Sequence, residues 1–110
     1  MMNIKNNFFE VIMMQDTLMS IQIIPKTPQN DDVIPYVDEA IKLIEQSGLH
    51  YRVGPLETTV QGEMSACLIL IQKLNERIVE LECSSIISQV KFYHVPEGIS
   101  IETLTGKYDG

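Results

Sequence analysis

The sequence predicts an α+β fold: a four-stranded antiparallel sheet with two helices on one face, in the order strand, helix, strand, strand, helix, strand. Three observations carry this. Apolar and polar residues alternate over 17–25 and again over 84–95, the period of a half-buried strand. Residues 33–47 and 63–82 instead repeat apolar side chains at helical spacing. Each has one broad apolar side, so both helices cover the same sheet face. Between them, residues 49–63 hold two short β-like runs around Gly54-Pro55. This order is the split βαβ pattern of ferredoxin-like domains, written βαββαβ.

With 110 residues the chain makes one domain, assigned to 17–110 and preceded by an N-terminal extension, 1–16. The extension lacks a continuous apolar segment and a small-residue cleavage site, so it does not read as a secretory signal. One reading starts translation at Met13 or Met14; the alternative is an added edge strand or arm. The first confident strand begins at Thr17. Met19, Ile21 and Ile23 share its core face, and Leu18, Ser20, Gln22 and Ile24 the other. Pro25 and Pro28 end it in a loop, 26–31.

The first helix takes a cap from Asn30, Asp31 or Asp32 and tolerates Pro35 in its first turn. Val33, Tyr36, Val37, Ala40, Ile41 and Ile44 form its apolar stripe, and Gly48 suits the C′ position. His50 to Val53 and Leu56 to Gln61 then read as strands on either side of the Gly-Pro turn. Gly62 ends the second, and Glu63 opens a helix that buries Cys67, Leu68, Ile71, Leu74, Ile78 and Leu81. Lys73 and Arg77 belong to its solvated side. The last strand, 84–95, is closed by Pro96 and Gly98, and a tail follows with one helical turn near 100–104. Ser20, Gln22, Ile24, Thr59, Gln61, Gln89 and Tyr93 are placed on the uncovered sheet face. That face is half apolar, which predicts a homodimer or homotetramer.

The net charge of −7 argues against nucleic-acid binding, because phosphate contacts need Lys and Arg. The longest apolar runs, such as 67–71, are far too short to span a bilayer. Cys67 and Cys83 form no CxxC motif and sit among apolar residues. They are expected reduced and buried, which suits the cytoplasm. No GxGxxG, P-loop or HExxH pattern occurs, and neither a metal nor a cofactor is predicted. His50 and His94 lie on separate strands without a second ligand at metal-binding spacing. An enzyme would need a buried acid–base pair, and the chain offers only the scattered His50, Glu57 and His94. A regulatory or protein-interaction domain working through its sheet edge is the other competing reading.

The run Ser20-Ile21-Gln22-Ile23-Ile24-Pro25, the helix Tyr36-Val37-Asp38-Glu39-Ala40-Ile41, Ser47-Gly48-Leu49-His50-Tyr51, and above all Gly54-Pro55-Leu56-Glu57-Thr58-Thr59-Val60-Gln61-Gly62-Glu63 resemble the small thiamine-binding protein family. The likeness covers 17–107. Family members usually carry a smaller residue, often Gly, where this chain has Glu57. The resemblance implies a ferredoxin-like dimer of dimers that binds thiamine or its hydroxymethylpyrimidine part without turnover, for salvage, transport or sensing. Thiamine joins a cationic thiazolium to an aminopyrimidine, so its site needs an aromatic or apolar wall, a hydrogen-bonding edge and a carboxylate. Tyr51 is the candidate wall; Ser20, Gln22, Thr58 and Thr59 are the candidate edge; Glu63 is the candidate charge.

Overall fold

The computed structural model describes residues 14–108, so all but the last three residues of the extension lie outside the described residues. Strand β1 (Gln15–Lys26) leads through a 3-10 turn (Pro28–Asn30) into helix α1 (Ile34–Gln46). Strands β2 (His50–Val53) and β3 (Thr58–Gly62) follow, then helix α2 (Met64–Glu80), strand β4 (Ser85–Ile99) and a short helix α3 (Ile101–Thr105). The sheet order is β2-β3-β1-β4 with every pair antiparallel. The chain thus has the expected ferredoxin-like architecture.

Register assigns the faces, because directly paired residues point the same way. Met19 pairs with Val60 and Phe92, and Val60 with Tyr51. This face meets the helices. Met19, Ile21 and Val60 pack there against Ala40 and Ile44 of α1 and Cys67, Leu70 and Leu74 of α2. Leu18, Ser20, Gln22 and Ile24 take the other face. The two cysteines are free and buried, and burial pushes the Cys67 thiol up to about 11, so it stays protonated at neutral pH.

Several local expectations are corrected. In α2 the core residue is Leu70, 3% exposed, whereas Leu68 is 52% exposed. The helix ends at Glu80, and Glu82 adopts a left-handed φ of 69°. Strand β1 starts two residues before Thr17, and β4 runs past Pro96 after a register shift opposite Gln15/Thr17. As an edge strand, β4 can accommodate proline. The uncovered face is also less bare than expected. Leu18 packs with Ile99 and Ile101, and the Gln61 amide oxygen accepts the Ile101 N–H at 2.9 Å, which leaves Gln61 only 2% exposed. The Ser100 hydroxyl caps α3 by accepting from Thr103 N–H at 3.1 Å.

Two devices fix the ends of the hairpin. Gly54 N–H donates to the Glu57 carbonyl at 2.8 Å and closes the turn. A Cβ at Gly54 would lie 2.9 Å from that same backbone oxygen, so no larger residue fits without moving the turn. At the far end, Asp16 of β1 caps α2. Its Oδ1 accepts Met64 N–H at 3.0 Å and the Thr17 hydroxyl at 2.7 Å. With its own hydrogen so committed, the Thr17 oxygen must accept from His94 Nδ1, 2.9 Å away. Glu63 hydrogen-bonds Asp16, which raises the Glu63 pKa, while the Thr17 and Glu63 hydrogen bonds lower that of Asp16.

Gly54→Ala is expected to destabilise the fold by about 1–3 kcal/mol in urea unfolding, the range for forced overpacking. The carboxyl pair sets a pH window. Asp16, with its depressed pKa, contributes stability above its unfolded value that is lost as pH falls. Glu63, with its raised pKa, contributes stability at low pH that is lost as pH rises through its folded value. Glu63→Gln, neutral at every pH, is expected to raise the Tm relative to wild type more at about pH 8 than at about pH 4.5; an equal shift at both would contradict the shared proton.

Candidate functional site

A cleft of about 340 Å³ opens between α1, the end of β1 and the Gly54-Pro55 turn. Binding cavities for small molecules begin near this size, at roughly 300 Å³. Its position follows from the fold. The β2–β3 turn projects past the sheet, α1 lies across the helix-facing side, and the space between them is not filled. Val37, Ile41, Val53 and Leu56 supply apolar walls. Glu57 and Thr58 are the polar side chains on this side, and Glu57 is the one ionisable residue in the lining. The arrangement can take a flat, partly apolar molecule and offer it hydrogen bonds and one negative charge.

A second, shallower depression lies outside α1, lined by Asp31, Asp32, Pro35, Tyr36, Glu39 and Leu81. Its carboxylates are in part already occupied. Asp31 accepts from the Tyr36 hydroxyl at 3.5 Å, Asp32 caps α1 by accepting Ile34 N–H at 3.1 Å, and Glu39 pairs with Arg77 at 3.4 Å. It is more open to solvent than the cleft, and its apolar wall is limited to Pro35, Tyr36 and Leu81.

The residues singled out from sequence do not form one site. Thr58 faces the cleft, whereas Gln22 borders it from a strand position whose side chain takes the opposite sheet face. Tyr51 faces the helices and packs against the core. Ser20 and Thr59 pair with each other on the opposite sheet face. Glu63 lies at the far end of β3, five residues from Thr58, or about 17 Å along a strand. There it neither caps α2 with its own side chain nor approaches the cleft, and Asp16 does the capping. The physical reason is alternation: adjacent residues such as Thr58 and Thr59 cannot share a face.

Electrostatics separate the two faces further. Ser20 pairs with Lys91 and Thr59 with Arg52, so both hydroxyls lie between cations. A thiazolium is disfavoured there and favoured beside Glu57. Sequence reasoning had set Glu57 aside as an enzyme candidate and a departure from the family pattern. Its place in a four-residue Gly-Pro turn was the signal that it would sit on a lip. Val33, assigned from sequence to the apolar stripe of the first helix, is 43% exposed at its N-cap and lines the cleft. Among the described residues, no group of three or more His, Cys, Asp or Glu side chains is arranged to hold a metal ion, and no helix is long and apolar enough to cross a membrane.

Comparison with known proteins agrees with this architecture. Residues 19–109 match the profile of the family described as thiamine-binding protein. A UPF0045 protein of Clostridium perfringens is 32% identical over 90 residues, covering 82% of this chain and 94% of the relative. The structure of a domain of unknown function from Bacillus cereus superposes with a TM-score of 0.79 at 32% identity, over 87% of this chain and 92% of that one. A putative thiamine biosynthesis/salvage protein from Thermotoga maritima gives 0.76 at 28% identity, over 84% and 98%. With its family stretch folded into the turn, strand and helix start described above, the chain belongs to the thiamine-binding protein family.

Proposed function

We propose that the protein binds thiamine, or its hydroxymethylpyrimidine part, in the cleft beside the Gly54-Pro55 turn, and holds it without chemical conversion. One observation carries the reading: the contiguous stretch Val53 to Thr58, which includes the start of the family motif, lines a cavity whose opposite wall is the apolar side of α1. The apolar walls bury the rings. Thr58, which pairs with Ile21 on the helix-facing side, serves the aminopyrimidine edge, where its hydroxyl can donate and accept. Glu57 supplies the counter-charge to the thiazolium. Salvage, transport or sensing in the cytoplasm would all use such a carrier. The half-apolar sheet face, with Ile24 41% and Ile87 63% exposed, supports association with a second copy.

Titration calorimetry with thiamine and with neutral hydroxymethylpyrimidine tests this. Glu57→Gln is expected to weaken thiamine about threefold to fivefold, as for a partly exposed ion pair, and to leave the pyrimidine unchanged. Thr58→Val is expected to weaken both. Unchanged affinities in both variants would remove the cleft from consideration, and a loss confined to Thr59→Val would move the site to the opposite sheet face.

A further inference from the structure

Among the described residues that line the cleft none is Lys, Arg or His, and Glu57 at the lip is its one charged side chain. The cations nearest along the chain, Lys26, Lys42 and Arg52, are exposed and do not line it. Lys26 and Arg52 stand on strand positions of the opposite sheet face, where Arg52 pairs with Thr59. On α1, Asp38 follows Ile34 by four residues and Glu45 follows Ile41 by four, so the helix rows that border the cleft continue into exposed carboxylates.

Backbone donors are withheld as well. A helix start ordinarily suits an anion, because its first N–H groups have no partner within the helix. The start of α1 brings Val33 and Ile34 to the cleft, but its donors are spent. Asp32 Oδ1 accepts the Ile34 N–H at 3.1 Å, Pro35 has no N–H, and the Tyr36 and Val37 N–H groups both donate to the Val33 carbonyl at 3.0 Å. In the turn opposite, the Gly54 N–H is committed to the Glu57 carbonyl at 2.8 Å, and Pro55 again has none.

We propose that the cleft selects the unphosphorylated vitamin over its phosphate esters. This inference rests on the proposed binding mode, which sets the thiazolium beside Glu57, and extends it to the arm that the thiazolium carries. Phosphorylation falls on the hydroxyethyl arm of that ring, so it delivers a phosphate to the Glu57 lip. There the phosphate meets a carboxylate, no cation, and a helix start whose donors are filled. It also cancels the positive charge that Glu57 attracts. Lost attraction and added repulsion are each the size of one partly exposed charge pair, and together they amount to about tenfold in affinity.

Calorimetry at low ionic strength with thiamine, thiamine monophosphate and O-acetylthiamine tests this, because acetylation lengthens the same arm without adding charge. The monophosphate is expected to bind about tenfold more weakly than thiamine, and the acetyl ester within about twofold of it. Glu57→Gln is expected to narrow the gap between thiamine and its monophosphate to about twofold, and Glu57→Lys to reverse their order. A monophosphate that binds as tightly as thiamine, an acetyl ester as weak as the phosphate, or a gap unchanged in both variants would each overturn this inference and leave the vitamin reading standing. Failure of thiamine itself to bind would overturn both.

Discussion

A strand has two faces, and β1 imposes that division on the molecule. It lies between β3 and β4, and Thr17 to Ile21 pair with both, so each of these residues aligns a row of the sheet. Met19 and Ile21, 0% and 3% exposed, commit one side to the helices. Ser20 and Gln22 are thereby committed to the other. A one-residue slip would exchange the two sets, burying Ser20 and Gln22 under α1 and α2 and stripping the core of its floor. Burial of the Met19 and Ile21 side chains, worth roughly 1.5–3 kcal/mol each, is what holds the register.

The architecture was legible because it rests on period alone. Alternation in 17–25 and helical spacing in 33–47 and 63–82 are signals within a single element, and both came through. Gly48, placed at C′, has the left-handed φ of 76° that the position demands. Less of the candidate site was legible. Ser20, Thr58, Thr59 and Glu63 were grouped because they are near one another in sequence or motif, yet Thr58 and Thr59 fall on opposite faces and Glu63 lies at the other end of β3. The cap on α2 comes from Asp16, 48 residues away, a pairing no local pattern announces. Leu68 and Leu70 are both apolar helix residues, and the direction of α2 across the sheet, not composition, decides which of them is buried.

The distribution of charge follows from the same layering. Burial penalises an ion, so apart from Asp16 near the start of β1 and Glu97 near the end of β4 the acidic side chains among the described residues lie on helices, loops and turns. The acidic excess therefore surrounds the sheet rather than crossing it. Arg52 and Lys91 stand out against this background because their long stems reach water from strand positions. A protein acidic in sum thus places one carboxylate, Glu57, at the lip of its cleft.

Glu57 makes the division of labour within the cleft concrete. It stands on an exposed turn, where solvent and salt screen its field, so it cannot supply most of the affinity for a cation. The walls from α1, Val53 and Leu56 must do that by removing ring surface from water. In the proposed binding mode the carboxylate would instead discriminate, favouring a cation over a neutral fragment of similar shape. A smaller, uncharged residue at this position would keep the walls and lose the discrimination. In the proposed mode Glu57 at the lip therefore bears on the charge of the ligand preferred, while the Gly54 turn and the α1 wall bear on whether a ring is held at all.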